Sequence, residues 1–268
     1  MQNQLFVPYP DYSGQKVLLG ASGGINSMAA LCWLANMPEA LKPAELHLFY
    51  AHLEEHSPDT RPFVLAGVAY AKKHFAAVVF AETAHSVLEF FEGKKMIPHP
   101  TIAPCTKLLK IAPMFTYMAE NGITANAVGY VNDEVRRVKN MAEKTGSSLH
   151  DVKSKGISVS FPIAAFDNEW CFDIVKREIG WYPAIYDIRN SKGERVFKHN
   201  NCLPCKNMTH AQLKDVDTYY PEYMQRAKAT SAVIGRHWGR NADEYYTTFG
   251  RADYEVLNGQ PCAVCAAD

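Results

Sequence analysis

The sequence predicts an α/β fold, in which a parallel sheet is flanked by helices and followed by a smaller C-terminal region that is helical and irregular. Strand and helix patterns alternate from residue 16 to about residue 165, the order typical of a parallel sheet covered on both faces. A glycine-rich segment lies where the first strand meets the first helix. After about residue 165 strand signals become sparse and aromatic residues frequent. We therefore predict two domains, residues 1–165 and residues 166–268.

Each predicted element rests on a local pattern. The first strand, residues 16–20, is an apolar run that ends in glycine, and the helix over residues 25–37 has apolar residues at near-helical spacing until Pro38. The remaining predicted strands cover residues 45–52, 77–81, 125–130 and 158–162. The remaining predicted helices cover residues 61–74, a segment that begins at residues 87–91, and residues 107–121 with a bend at Pro113.

Composition limits the function classes. The 268 residues are 47% hydrophobic, which is enough for a substantial core. The chain has 28 basic and 28 acidic residues, so its overall charge does not indicate a nucleic-acid partner, although a local basic patch is compatible with it. It has neither an apolar stretch of about 18 residues nor a secretory signal pattern. We therefore expect a cytoplasmic protein with no membrane partner.

The segment from Gly20 to Ser27 reads GASGGINS and is the most specific in the chain. Its glycines let backbone amides approach an anion, and the helix that follows adds unpaired amides and a favourable dipole. The segment matches neither a Walker A loop nor the dinucleotide pattern Gly-x-Gly-x-x-Gly. In the simpler interpretation the glycines only provide backbone freedom for a strand-to-helix turn. The candidate nucleotide-binding residues here are Ala21, Ser22, Gly23, Gly24, Asn26 and Ser27.

Charged residues at other strand ends are further candidates, because ligands of open α/β sheets bind beyond the carboxyl ends of the strands. Asp133 and Glu134 could help to hold Mg²⁺. Arg136 and Arg137 could hold a phosphate or sulfate through bidentate contacts, and Lys107 and Lys110 could act on an anion as point charges. Alternatively, these residues form a solvated helix start and the wet face of a helix.

Four of the seven cysteines form two Cys-x-x-Cys pairs, Cys202 with Cys205 and Cys262 with Cys265. Four thiolates suit zinc or an iron–sulfur cluster, and we expect a shared metal site. Four alternatives stay open: redox dithiols that carry sulfur, a mobile tail that carries the last pair, a set in which Cys105 joins Cys202 and Cys205, and no special role. Cys32 and Cys171 are expected to be core residues.

Residues 22–27 resemble the Ser-Gly-Gly-x-Asp-Ser loop of PP-loop ATP pyrophosphatases, which holds the pyrophosphate part of ATP. Asn26 stands where most members have Asp. Three further segments resemble the PAPS (phosphoadenosine phosphosulfate) reductase-like branch of that superfamily: CTKLLK at residues 105–110, GYVNDEVRR at residues 129–137, and a closing stretch from Phe161-Pro162 to Cys202 and Cys205. The resemblance spans about residues 16–210 and implies an adenine nucleotide alpha hydrolase-like fold.

The resemblance also implies a chemistry. ATP and Mg²⁺ would bind at the loop, with Gly129 and Lys107 beside the nucleotide. The catalytic residues it implies are Cys105, Asp133, Glu134, Arg136 and Arg137. The enzyme would adenylate an acceptor, release pyrophosphate and insert sulfur, as the ATP pyrophosphatase component of DNA-phosphorothioation systems does; tRNA is the other expected acceptor. A cysteine desulfurase or another sulfur donor, a possible homodimer, and a [4Fe–4S] cluster or Zn²⁺ at the cysteines complete the expectation.

Two other functions stay open. A PAPS or adenylylsulfate reductase would need a C-terminal Glu-Cys-Gly-x-His-type segment, and the chain ends PCAVCAAD instead. A non-catalytic nucleotide-binding scaffold is suggested by Asn26, since its neutral amide removes a negative charge near the metal and the phosphates.

Overall fold

A computed structural model describes residues 9–97, 104–134, 139, 151–154, 156–205 and 207–235. Its internal contacts divide the chain into two compact units that are interleaved along the sequence. The first unit comprises residues 1–50, 60–82 and 115–182, and the second comprises residues 51–59, 83–114 and 183–268. None of the described helices has the length and apolarity needed to cross a membrane.

The sheet contains six strands in the order β3-β2-β1-β4-β6-β5. β1 pairs in parallel with β2 and β4, and β4 pairs in parallel with β6. The Leu46 amide donates to Ala77 and the Glu54 amide to His85; both bonds join residues 31 apart, the constant offset of a parallel pair. These parallel strands confirm the predicted fold class. The strands are β1 (Lys16–Gly20), β2 (Glu45–Leu53), β3 (Val78–His85), β4 (Ala125–Ala127), β5 (Asp151–Ser154) and β6 (Ile157–Ser160).

Helices cover both faces of the sheet in the first unit. Leu19 and Leu48 lie side by side on one face, where they line a small recess with residues of α1 (Ile25–Ala35) and α2 (Thr60–His74). On the other face the buried His47 ring accepts or donates a 2.8 Å hydrogen bond with the hydroxyl of Tyr117 in α4 (Ala112–Glu120). Since neighbouring strand residues point to opposite faces, the apolar strands are buried from both sides.

Aromatic stacking fixes α1 against α5 (Asn168–Glu178). The Trp33 ring of α1 meets Phe166 and Trp170 edge to face, with centroids 5.1 and 5.8 Å apart, and those two rings stack on each other at 3.8 Å. The Asp167 carboxylate caps α5 by accepting from the Trp170 amide. The segment that follows β6 therefore packs directly against α1, the first helix of the fold.

Two strands end earlier than predicted, and one strand was not predicted, in each case for a local reason. β4 ends at Ala127 rather than residue 130, because the Tyr130 amide donates to Val128 and the chain turns out of the ladder. β6 ends at Ser160 because Pro162 has no amide to donate. β5 was not predicted; its residues DVKS carry little apolar pattern, and it joins the sheet as an antiparallel partner of β6 next to Gly156, whose φ is +75°.

The predicted helix over residues 107–121 forms, but it begins with a π-helical segment, Thr106–Ile111, which we call the π turn. The Ala112 amide donates to Lys107, five residues earlier. A wider turn suits this position, because Pro113 has no amide to contribute to an α-helical ladder. The expected bend at Pro113 is therefore replaced by a π turn just before it.

Helices dominate the described second unit, as predicted for the C-terminal region. α3 (Val87–Lys94) begins at the Ser86 cap, α6 (His210–Tyr219) begins with a capping box between Thr209 and Gln212, and α7 (Pro221–Ile234) ends at Gly235. The Thr230 hydroxyl bonds Glu92 at 2.6 Å and joins α7 to α3.

Glu55, a carboxylate of the second unit, is fully buried. Its oxygens accept from the Ser86 hydroxyl at 2.8 Å and from the amides of Val87 and Leu88 at 2.8 and 3.4 Å. These donors form the start of α3, where unpaired amides and the helix dipole favour an anion. Arg226 of α7 lies 3.7 Å from the same carboxylate, so the charge of Glu55 is compensated within the unit.

Two leucines of the first unit give a matched test of the buried sheet. Leu18 in β1 is fully buried, whereas Leu65 in α2 is 38% exposed. We expect Leu18→Ala to lower the free energy of unfolding by about 2–5 kcal/mol, because it leaves a cavity between packed layers. Leu65→Ala should cost about 0.5 kcal/mol or less. Urea unfolding of both variants checks this, and equal losses would contradict the layered packing.

Candidate functional site

The strand order reverses direction at β1. From β1 the chain proceeds outward to β2 and β3 on one side, and it returns to β4 and β6 on the other. Ligands of open α/β sheets bind at such a switch point, beyond the carboxyl ends of the strands. The segments that leave β1 and β4 there are residues 21–24 and residues 128–131. They include four of the predicted loop positions, residues 21–24, together with Gly129, and the other two, Asn26 and Ser27, lie in the first turn of α1.

The loop after β1 depends on the backbone conformation of Gly23. Its φ is +76°, a left-handed value that side chains disfavour. A Cβ at this position would lie 2.3 Å from Cγ2 of Thr60, the first residue of α2. Two helix starts, those of α1 and α2, therefore meet at a residue that must be glycine. Helix starts present amide donors and positive dipole ends, so the loop is suited to an anion.

The loop serines form a short hydroxyl chain. Ser22 donates to the Ser27 hydroxyl at 3.0 Å, and Ser27 donates to the Gly24 carbonyl at 2.9 Å. Gly24 precedes α1 as its N-cap without a side-chain cap, and the Asn26 and Ser27 amides lie in the first turn, where an α-helix offers them no carbonyl acceptor. Ser22 is exposed. These donors all lie at the start of one helix.

Gly129 brings the second segment onto the first. A Cβ at residue 129 would lie 2.7 Å from the Asn26 carbonyl oxygen and 3.1 Å from Cα of Ser27. Only glycine allows the chain after β4 to pass this close to the first turn of α1. The predicted residues Gly129, Asn26 and Ser27 are thus brought together.

Two amide oxygens in this unit are buried without a donor among the described residues, Oδ1 of Asn26 and Oδ1 of Asn126 in β4. A buried acceptor without a donor costs about 1–3 kcal/mol. Both atoms can accept a hydrogen bond or coordinate a cation. Asn26 thus offers a neutral oxygen where the resemblance would place a carboxylate.

The acidic candidates lie on the segment after β4, in the 3₁₀ turn Asn132–Glu134. The Asp133 carboxylate accepts from Asn168 at 2.8 Å, and Glu134 accepts from the Val131 amide at 3.4 Å. The first residue of α5 therefore holds Asp133, and the turn itself holds Glu134, at the switch-point edge of the sheet. Carboxylates are ligands that Mg²⁺ accepts. Arg136 and Arg137 lie outside the described residues.

The second unit contains Cys105, Lys107, Lys110, Cys202 and Cys205. Lys107 is exposed on the π turn. Cys202 is buried, whereas Cys105 and Cys205 are half-buried. The Leu203 amide donates to the Glu55 carbonyl at 2.7 Å, and the Cys205 amide contacts the Met208 sulfur at 3.3 Å. The turn that carries the first cysteine pair is therefore anchored beside Glu55.

The three described cysteines of this unit influence one another electrostatically. The pKa of the Cys202 thiol is raised to about 12, first by burial. The largest charge contribution comes from Lys110, which lowers this pKa, whereas the charges of Cys205, Cys105 and Glu55 raise it. The buried His56 ring has a pKa well below its usual value because of burial, Lys110 and His52. Cys105 is far from Cys202 and Cys205 in the sequence, but its charge, like that of Cys205, contributes to the pKa of Cys202.

The metal prediction is only partly covered by the structure. Cys262 and Cys265 lie outside the described residues. Among the residues the structure describes, no three His, Cys, Asp or Glu side chains form a group that could hold one metal ion. The four-cysteine site therefore stays a prediction. Cys32 and Cys171 are fully buried, as predicted for core residues, and burial raises the pKa of both thiols.

Sequence reasoning missed four residues around these sites. Thr60 and Arg61 begin α2 beside Gly23, and Arg61 is held by a two-point contact with Glu82 at 2.8 and 2.9 Å. Glu55 and His56 lie in the turn that follows β2. Only the Pro58 signal before α2 could have marked that turn, because the partners of all four residues are distant in sequence.

Comparisons with known proteins give only distant similarities. No protein-family model and no curated protein matches the chain. Among solved structures it is similar to phosphoadenylyl-sulfate (PAPS) reductase from Candida auris, with 16% identity, 68% of this chain and 79% of that chain covered, and a TM-score of 0.42. It is also similar to the U34-tRNA thiolase NcsA from Methanococcus maripaludis with its [4Fe-4S] cluster, with 13% identity, coverage of 85% and 74%, and a TM-score of 0.43.

A third similar structure is NMN synthetase from Francisella tularensis, with 12% identity, coverage of 81% of this chain and 87% of that chain, and a TM-score of 0.41. All three identities are low and all three TM-scores lie below 0.5. The loop and the cysteines of this chain are therefore the features that indicate its function.

Two loop glycines give a matched test of the anion site. Gly23→Ala should lower the free energy of unfolding by about 1–3 kcal/mol and abolish binding of inorganic pyrophosphate, since residue 23 has a positive φ and no space beside Thr60. Gly20→Ala meets nothing within 4 Å and should change stability by about 0.5 kcal/mol or less. Urea unfolding and calorimetric titration measure both. Normal pyrophosphate binding by Gly23→Ala would remove the loop from the site.

Proposed function

We propose that this protein is a PP-loop ATP pyrophosphatase, which adenylates an acceptor so that sulfur can be incorporated, with nucleic acid as the acceptor. The observation that carries the proposal is the loop at the switch point. Gly23 joins the starts of α1 and α2, and Gly129 lies directly on the first turn of α1. The motif resemblance over residues 16–210 supports the same assignment.

In the first step, the loop would hold the β- and γ-phosphates of ATP. An acceptor oxygen attacks the α-phosphorus, the bond to the bridging oxygen breaks, and pyrophosphate leaves with the electron pair. The amides at the start of α1 and the Ser22 and Ser27 hydroxyls would stabilise the charge on that leaving group. Mg²⁺, when bound, would neutralise part of the phosphate charge, and Asp133 and Glu134 are the residues proposed to hold it, with Arg136 and Arg137 as additional phosphate contacts.

In the second step, a sulfur nucleophile attacks the activated carbon or phosphorus of the acceptor, and AMP leaves with the electron pair of the broken bond to oxygen. The sulfur would come from a cysteine desulfurase, the proposed partner, as the terminal sulfur of an enzyme persulfide. A second cysteine thiolate would then attack the S–S bond of the adduct, which releases the thiolated acceptor and leaves an enzyme disulfide that an added thiol reductant returns to two thiols. Cys105, Cys202 and Cys205 are the proposed sulfur-handling residues, because they share one electrostatic environment in the second unit. A modified phosphate in DNA and a modified base in tRNA are the two acceptors that fit.

Pyrophosphate release with each acceptor distinguishes the proposed function from its alternatives. ATP, unmodified tRNA or unmodified DNA, and a desulfurase with cysteine should together give pyrophosphate and AMP. ATP binding without pyrophosphate release in every mixture would instead favour the non-catalytic scaffold. Release of sulfite from PAPS and a thiol reductant would establish a reductase.

Removing one loop hydroxyl tests the ATP site directly. Ser22→Ala should weaken ATP binding by about 1–3 kcal/mol, the value of a hydrogen bond to a charged group. Ser13→Ala, at an exposed turn of the same unit, is the control and should leave the affinity unchanged. Calorimetric titration of ATP into both variants gives the comparison. Equal affinities would contradict a role of Ser22 in phosphate binding.

Protein purified without oxygen tests the cysteine assignment. If the cysteines hold a cluster, iron and labile sulfide should be present in equal amounts, and Cys202→Ser should remove both because it takes away a ligand. Cys32→Ala, in the core of α1, should keep them. Stoichiometric zinc would indicate a structural site. A metal-free protein would indicate thiols that carry sulfur as persulfides, and full metal retention by Cys202→Ser would exclude this residue as a ligand.

A further inference from the structure

Residues 188–199 form an exposed hairpin of the second unit, which we call the basic hairpin. The Val196 amide donates to the Ile188 carbonyl and the Asn190 amide to the Glu194 carbonyl, both at 2.9 Å, and Gly193 closes the turn with a φ of +79°. The hairpin contains four basic residues and one acidic residue, whereas the whole chain has 28 of each. The basic residues are Arg189, Lys192, Arg195 and Lys198.

Two of the basic residues, Arg189 and Arg195, lie directly opposite each other as an antiparallel bridge. The two hairpin hydrogen bonds flank this bridge and do not join its residues. A pair of this type has its Cα atoms only about 4.5 Å apart, with both side chains on one face. Like charges that face each other across two strands destabilise a hairpin. An anion bound on that face would reduce the repulsion.

The acidic residue of the basic hairpin is used by the turn itself. The side-chain amide of Asn190 donates to the Glu194 carboxylate at 2.9 Å. The side-chain oxygen of Asn190 accepts from the amides of Lys192 and Glu194 at 2.9 and 3.0 Å. The carboxylate of Glu194 therefore helps to shape the loop at the tip of the hairpin.

The remaining cations of the basic hairpin are open to a partner. Arg189, Lys192 and Lys198 are exposed, and none of the three forms an ion pair within the part of the chain that the structure describes. Asp187, the acid that precedes the hairpin, belongs to the 3₁₀ turn Ala184–Asp187. The hairpin therefore presents a local cationic surface that the balanced charge of the whole chain conceals.

The base of the basic hairpin is fixed within its unit. Phe197 is buried, and its ring meets that of Tyr220 edge to face with centroids 5.8 Å apart. Asn200, which follows the hairpin, is also buried. Its amide donates to the Tyr186 hydroxyl at 3.2 Å, and its side-chain oxygen accepts from Ser57 at 3.1 Å. A surface held in this way loses little conformational freedom when it binds a partner.

The basic hairpin also leads directly into the turn that carries Cys202 and Cys205. The Leu203 amide of that turn donates to the Glu55 carbonyl at 2.7 Å, and Ser57 holds the connection at residue 200. Residues 55–57 thus anchor both the hairpin and the cysteine turn. A polymer that binds the hairpin is therefore held by the same unit that carries the proposed sulfur-handling cysteines.

We propose that the basic hairpin binds the phosphodiester backbone of duplex DNA and holds it as the acceptor. A two-stranded ribbon fits the major groove of B-form DNA, which is about 12 Å wide, whereas the major groove of A-form RNA is deep and narrow. Cationic side chains beside such a ribbon contact the phosphates and fix the register of the protein on the duplex. The inference rests on the proposed function for nucleic acid as the acceptor, whereas the cationic surface rests on the second unit alone.

Fluorescence anisotropy of a short labelled DNA duplex tests this assignment with the whole chain, without ATP and over a range of salt concentrations. Lys192→Gln and Lys198→Gln should each weaken binding about three- to tenfold at low salt, because each removes one phosphate contact. The slope of the logarithm of the binding constant against that of the salt concentration should become shallower by about 0.9 for each lysine. Lys192→Arg should keep both the affinity and the slope.

Lys94→Gln is the matched control, because it removes an exposed lysine from the end of α3 in the same unit; its affinity and slope should equal those of the unchanged protein. Unchanged DNA affinity in both hairpin variants, or equal losses in Lys94→Gln, would overturn the proposal and make the hairpin lysines a solvated surface. Tighter binding of unmodified tRNA that is lost in the same variants would overturn the assignment to DNA.

The binding assay is independent of the pyrophosphate assay, so the two proposals can fail separately. Hairpin-dependent DNA binding without pyrophosphate release from any acceptor would support the hairpin assignment and contradict the pyrophosphatase. Pyrophosphate release with DNA that is equally fast in Lys192→Gln and in the unchanged protein at limiting DNA would overturn the hairpin assignment and leave the pyrophosphatase intact.

Discussion

The close approach of backbone to backbone at the switch point is the constraint on which the first unit depends. The chain after β1 must turn sharply through Gly23 between the starts of two helices, and the chain after β4 must pass over the first turn of α1 at Gly129. Neither position has space for a methyl group. The geometry on which the proposed anion site depends is therefore the same geometry that packs α1 and α2 against the sheet.

In the second unit, the corresponding constraint is the compensation of a buried charge. Glu55 is buried with four donors arranged around it, so its charge is satisfied when the unit is folded. Folded proteins pair their buried charges.

Asn26, which stands where most PP-loop ATP pyrophosphatases have Asp, is consistent with separate roles for different groups of the loop. The helix starts and the serine hydroxyls provide donors, whereas the Asn26 side chain provides a neutral oxygen with no donor among the described residues. In the proposed function, a neutral residue at this position would reduce the repulsion that phosphates meet from a carboxylate, and Mg²⁺ would be held by the acidic turn after β4. The zero net charge of the whole chain means that recognition of a nucleic acid would depend on local surface charge.

The sequence by itself determined the order of strands and helices apart from β5, the glycine loop between β1 and α1, the core cysteines and the helical character of the described C-terminal region. Those features are local, because apolar periodicity and glycine position are written into a few consecutive residues. Only the tertiary structure decided which strands and residues that are far apart in the chain lie next to one another. It placed β1 beside β4, set Gly129 on Asn26 and Thr60 beside Gly23, and brought Cys105 into the surroundings of Cys202. It also replaced an expected proline bend by a π turn just before Pro113. Contacts between residues far apart in the chain depend on the packing of whole elements, and no local pattern encodes them.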